Sequence, residues 1–166
     1  MKRPELYNKT VDILVEAYFN DTLVHGNQCG CAVGNMVAAN MGVRLHKLKC
    51  GTIVPSYWDD DFVTDNFTIE NNGLWYLKKS TDADDIRFKQ EDIDKQIFST
   101  GYSWNEILAI ERAFEYCQYT EDDDSYMLNG LMAVIDTLDI IHENTDTIST
   151  ETTKNRFVKR QLIPQP

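Results

Sequence analysis

The sequence predicts a mainly α fold, a single-domain helical bundle of four or five helices with a small β hairpin. Three observations predict it. Apolar residues recur at spacings of three and four along most of the chain, that period is lost between residues 43 and 80, and 166 residues suffice for one sizeable core. Hydrophobic residues at 42% and charged residues at 26% exclude disordered, collagen-like and membrane classes.

Pro4 suits a first helical turn, and Tyr7, Val11, Leu14, Val15 and Tyr18 share one face, so a first helix is expected over 4–19. After the break at Asn20-Asp21-Thr22, Asn27 is a candidate cap for a second helix running from Cys31 to Met41, stopped by Gly42. Residues 43–48 and 73–78 look like the two strands of the hairpin, within a small β or irregular flap over 43–80. Helical period returns at 91–98 and breaks at Gly101. Ser103 and Glu106 then form a capping box for a helix ending near Tyr119, with Trp104, Ile107, Leu108, Ile110, Phe114 and Cys117 on its buried side. A further helix after Glu121-Asp122-Asp123-Asp124 carries the stripe Met127, Leu131, Val134, Ile135, Leu138 and Ile141, with Asp136, Asp139 and Glu143 on the opposite face. Residues 144–166 read as a partly flexible tail with a short helix capped by Thr150.

Net charge is −11, and it is uneven: residues 106–146 hold eleven acids and one base, whereas residues 1–58 hold six bases and four acids. Such a chain is repelled by phosphate backbones and anionic bilayers, so no direct nucleic-acid or membrane partner is expected. The first residues show no apolar signal core, and no stretch offers the roughly 18 uninterrupted apolar residues of a span. A cytoplasmic location with free thiols is the expectation.

The most unusual segment is His25-Gly26-Asn27-Gln28-Cys29-Gly30-Cys31, which sets an imidazole, two thiols and two amides at a helix entrance. Unpaired N–H groups there can bind an anion or depress a thiol pKa, so His25, Gly26, Asn27, Gln28, Gly30 and Cys31 are ligand-binding candidates. If the segment is an exposed site, His25→Ala leaves the melting temperature nearly unchanged and weakens binding. Gln28-Cys29 resembles the Gln-Cys that opens a helix in CHAP-type and papain-like amidases, but their downstream strand His has no counterpart between His46 and His142. A thiol-dependent hydrolase using Cys29 or Cys31 is the enzymatic alternative. His25-x3-Cys29 and His46-x3-Cys50 repeat one spacing and offer four ligands for a tetrahedral zinc, the basis of a zinc-stabilised interaction module.

Calcium fails on the acidic clusters, which lack the glycine or terminal glutamate of an EF-hand. Glu111 and Glu115 with Asp136 and Asp139 resemble the magnesium-holding helices of all-α nucleotide pyrophosphohydrolases, without their E-E-x-x-E; solvated helix faces explain them more simply. Helix-turn-helix DNA reading over 93–115 fails on charge.

Cys31-Ala32-Val33-Gly34-Asn35, the run from Ser99 to Glu106 and the run from Asn129 to Asp136 are similar to small proteins carried by phages and prophages of Bacteroidota. Such relatives present His-Gly-x-Cys-x-x-Cys before the Ala-Val-Gly-Asn helix, where Gln28 and Cys29 here displace the first thiol. The resemblance implies a phage accessory role and no activity. The functional expectation is a non-enzymatic acidic binding protein, an anti-defence inhibitor or a sequestering protein. Its partner is either a host protein with a basic surface, met by Asp122, Asp123, Asp136 and Asp139, or a small phosphate-bearing ligand.

Overall fold

A computed structural model describes residues 3–27, 29–56, 90–117 and 123–143. Within them lie helices α1 (Pro4–Phe19), α2 (Ala32–Asn40), α3 (Gln90–Ser99), α4 (Trp104–Glu115) and α5 (Asp123–Ile141), and strands β1 (Leu45–Lys47) and β2 (Ile53–Pro55). The fold is mainly helical with one small two-stranded sheet.

Tyr7, Val11, Leu14 and Val15 of α1 are buried as their spacing requires, and Pro4 stands in the first turn. They join Val33, Met36 and Val37 of α2, Ile97 of α3, Ile107, Ile110 and Phe114 of α4, and Leu131, Val134, Ile135 and Leu138 of α5 in one core. Helices α4 and α5 pack most extensively, α1 lies against α2 and α5, and α2 also meets α3 and α4. Gly130 permits the α4–α5 approach: a Cβ there would stand 2.8 Å from His25 Cε1 and 2.9 Å from the Phe114 ring.

Several expectations shift. The cap of α2 is Cys31, whose sulfur accepts the Gly34 N–H at 3.2 Å, while the Asn27 side chain closes the preceding turn on the Gly30 N–H. A side-chain acceptor belongs at the residue whose own backbone is extended, and at this helix start that is Cys31. Gly42 follows the helix end with φ +68°, as a C′ glycine should. The hairpin pairs 45–47 with 53–55, antiparallel with His46 opposite Val54, because a tight turn over 48–52 brings nearby residues together first. The expected second strand at 73–78, most of the 43–80 flap and the 144–166 tail with its Thr150 cap lie outside the described residues.

The capping box at Ser103 and Glu106 forms as expected. Helix α4 stops at Glu115, and Leu108 is 39% exposed, on the flank of the stripe defined by Ile107, Ile110 and Phe114. On α5, Asp136 is exposed, but Asp139 accepts the Tyr7 hydroxyl at 2.6 Å and is half-buried. Among the described residues no helix is long and apolar enough to cross a membrane.

Candidate functional site

The helix entrance folds inward. His25 is sandwiched between the Phe114 ring (4.1 Å between centroids, 11° between planes) and the Tyr126 ring (3.7 Å, 22°), leaving its side chain only 7% exposed. This reverses the expected exposure: an aromatic slot between α4 and α5 is a better solvent for the flat imidazole body than water. His25→Ala must therefore lower stability. The imidazole Nε2 lies 3.3 Å from the Tyr126 carbonyl oxygen, which can only accept, so Nε2 carries the proton. Nδ1 faces Glu115 Oε2, 3.8 Å away.

Glu115 also accepts the Gly26 N–H on both oxygens, at 3.0 and 3.2 Å. One turn earlier, Glu111 takes hydrogen bonds from the Cys31 thiol and the Val33 N–H. Thus α4 presents two carboxylates, four residues apart, to the loop and to the first turn of α2. Burial pushes the Glu111 carboxyl up to about 7, with Glu115 adding to the rise. Burial likewise pushes the Cys29 thiol up to about 12, and burial together with Glu111 lifts Cys31 well above its ordinary value. Both thiols are protonated at neutral pH, the opposite of what a nucleophile needs. Two buried polar atoms of this cluster, Glu111 Oε2 and His25 Nδ1, have no hydrogen-bond partner.

Glu111 was expected on a solvated face and is instead half-buried. The sequence spacing that set Glu111 and Glu115 on one face was correct, but the identity of the covering element, the 24–31 loop, is not encoded in α4. Asn35 is a second residue that pattern reading missed. Buried in the middle of α2, it donates to the carbonyls of Thr22, Gly30 and Cys31 and accepts the Thr22 hydroxyl, pinning the loop. A buried amide within an otherwise apolar run is the one signal that could have found it.

Of the other predicted residues, Gln28 and Asp122 lie outside the described residues, and Asp123 opens α5. Cys29 is buried, Cys50 is exposed in the hairpin turn with its thiol on Thr52, and His46 lies on β1. Among the described residues no three His, Cys, Asp or Glu side chains stand at the spacing of a ready-made metal cage, so His25, Cys29, His46 and Cys50 do not come together as one.

A second feature lies where α1, α2 and β1 meet. There a groove of about 540 Å³ is lined by polar Asn20, Thr22 and Asn35 and by Arg44, His46 and Lys47, with Glu16 its one carboxylate among the described residues. No carboxylate among the described residues pairs with Arg44 or Lys47, and His46 Nδ1 is buried without a partner. In a chain of net charge −11, this is a local patch of the opposite sign.

Comparison of the chain with protein-family models, curated proteins and solved structures gives no match.

Proposed function

We propose that this is a non-enzymatic binding protein that takes a small phosphate-bearing ligand in the groove between α1, α2 and β1. The observation that carries the reading is the pair of cations, Arg44 and Lys47, placed beside His46 on a groove of about 540 Å³ within an acidic protein. That volume suits a nucleotide-sized molecule, and guanidinium and ammonium groups are the usual phosphate partners. Glu16, Asn20 and Thr22 offer hydrogen-bond partners to the uncharged part of the ligand. The helix entrance is a poorer anion site, because the Gly26, Val33 and Gly34 N–H groups are engaged by Glu115, Glu111 and Cys31. Protonated thiols at Cys29 and Cys31 support binding over thiol catalysis. A protein of this kind acts by occupancy, as a phage accessory protein would in sequestering a signal molecule in the host cytosol.

Calorimetric titration of the purified chain with nucleotides and nucleotide second messengers tests this. A saturable heat with at least one of them is expected, weakened about tenfold or more by the Arg44→Ala, Lys47→Ala double substitution, since each charge-assisted contact is worth roughly 1.5–3 kcal/mol. A second reading has its own support: Asp136, Ile140 (79% exposed) and Glu143 are all exposed at the C-terminal end of α5, an acidic patch with an apolar centre fit for a basic protein surface. Silence in every nucleotide titration would leave that inhibitor reading in its place.

A further inference from the structure

The groove between α1, α2 and β1 carries both signs of charge on different elements. Glu16 and Asn20 line it from α1 and its cap, whereas Arg44, His46 and Lys47 line it from β1 and the residue before it. We propose that this groove selects a guanine nucleotide, with Glu16 and Asn20 reading the edge of the base and Arg44 and Lys47 holding the phosphate. The proposal rests on the phosphate-binding reading above and adds the identity of the base.

Charge placement is the first reason. Glu16 lines the same groove as two cations, yet no ion pair joins it to either of them among the described residues. A carboxylate weakens a site that serves an anion alone, because it repels the phosphate. It strengthens a site whose ligand carries N–H donors away from its phosphate, since an ionised carboxylate is an acceptor on both oxygens.

Hydrogen-bond capacity is the second. Glu16 and Asn20 are four residues apart at the end of α1, where the Asn20 backbone N–H donates to the Glu16 carbonyl at 2.9 Å, so their side chains leave the helix on one face. One supplies two acceptors and the other an amide N–H donor. The Watson–Crick edge of guanine has the complementary order: the donors N1–H and 2-amino side by side, then the acceptor O6. Adenine and cytosine set one amino group beside a bare ring nitrogen, and uracil flanks its one N–H with two carbonyls, so each of these turns a lone pair toward the carboxylate. The second amide of the groove is already spent. Asn35 donates to the Thr22, Gly30 and Cys31 carbonyls and accepts the Thr22 hydroxyl, which leaves the base to Glu16 and Asn20. The small side chains of Ala17, Ala38 and Ala39 line the same groove and leave room for a planar ring.

The test is calorimetric titration of the full chain with guanosine, inosine and adenosine monophosphates, which share ribose and phosphate and differ at the base edge. Inosine monophosphate differs from the guanosine compound only in lacking the 2-amino group. The guanosine compound should bind at least about tenfold more tightly than either of the others, the size of one charge-assisted hydrogen bond. Glu16 is exposed, so Glu16→Gln should keep the fold, and in it the three affinities should converge. The Arg44→Ala, Lys47→Ala double variant should weaken all three without changing their order. Equal affinity of the parent chain for the three overturns the choice of base and leaves the phosphate reading standing. A guanine preference that survives in Glu16→Gln overturns the part given to Glu16, and with it the proposal. Where the phosphate reading itself fails, none of the three binds, and the proposal falls with it.

Discussion

Two buried histidines, His25 and His142, lie at opposite ends of α5, and their surroundings differ in one respect. Around His142 the nearby acids have a cation and donors, while the imidazole Nδ1, like that of His25, has no hydrogen-bond partner. Leu6 carbonyl oxygen accepts the Thr10 hydroxyl, Thr10 accepts the Tyr102 hydroxyl at 3.0 Å, and Tyr102 therefore accepts the His142 Nε2–H at 2.9 Å. The nearby acids are likewise satisfied: Asp139 by Tyr7, and Glu106 by Arg3 and the Ser103 N–H. Around His25 two carboxylates and a thiol meet with no lysine or arginine among the described residues to answer them. The first neighbourhood is a polar network that ties α1, α4 and the end of α5 together. The second packs two carboxylates against a loop, where backbone N–H groups and a thiol are their donors and burial raises the Glu111 carboxyl toward its neutral form.

Removing the ring that both packs the core and holds His25 should do the greatest damage. Phe114 is fully buried, and Phe114→Ala should cost about 3–5 kcal/mol by opening a cavity and releasing one side of the aromatic slot. Urea denaturation measures this. A loss below about 1 kcal/mol would mean that the stack contributes little and that the contrast between the two ends is overstated.

Next in size is the response of the His25 end to pH. The Glu111 carboxyl titrates near 7 in the folded chain against an ordinary value of 4.5, so the unfolded chain releases its proton first as pH rises. Stability should fall between about pH 4.5 and 7 and level off above, by up to about 3 kcal/mol from the size of the shift. Glu111→Gln should flatten that limb, and a limb unchanged in the variant would place the burden on another group.

A smaller effect is expected at Gly130. Gly130→Ala would push a methyl against His25 and Phe114, which are ring atoms unable to bend away, at a cost of about 1–3 kcal/mol. At the other end Tyr102→Phe should cost about as much, because it removes the acceptor of His142 Nε2–H and leaves that donor buried.

How much of this was legible follows from the range of each signal. Local signals were read correctly: the stripe of α1, the box at Ser103 and Glu106, and the glycine stop after α2 depend on residues within one or two turns. Signals that depend on what covers an element were not. Glu111 and Leu108 exchange the expected burial because loop 24–31 lies over the flank of α4 that bears Glu111 and Glu115. Asp139 leaves the solvent face because Tyr7 reaches it from α1, 132 residues away. The segment from His25 to Cys31 was singled out correctly for its composition. Its inward turn depends on Phe114 and Tyr126, which no local pattern connects to it.

The smallest expected effect separates the two histidines most cleanly by sign. Burial holds the His142 imidazole below the ordinary histidine value, so the folded chain resists a proton that the unfolded chain accepts. A group with a depressed basic pKa adds stability above its unfolded value and loses it as pH falls through that value, here about 6.5, toward the lower folded one. The acid side of the stability profile should thus decline below about pH 6.5 on account of His142, while Glu111 acts in the opposite direction over the same range. His142→Gln, which keeps a donor for Tyr102 but cannot titrate, should remove the acid decline and leave the Glu111 limb intact. If the substitution instead alters the limb assigned to Glu111, the two ends of α5 are electrostatically coupled and do not act as separate neighbourhoods.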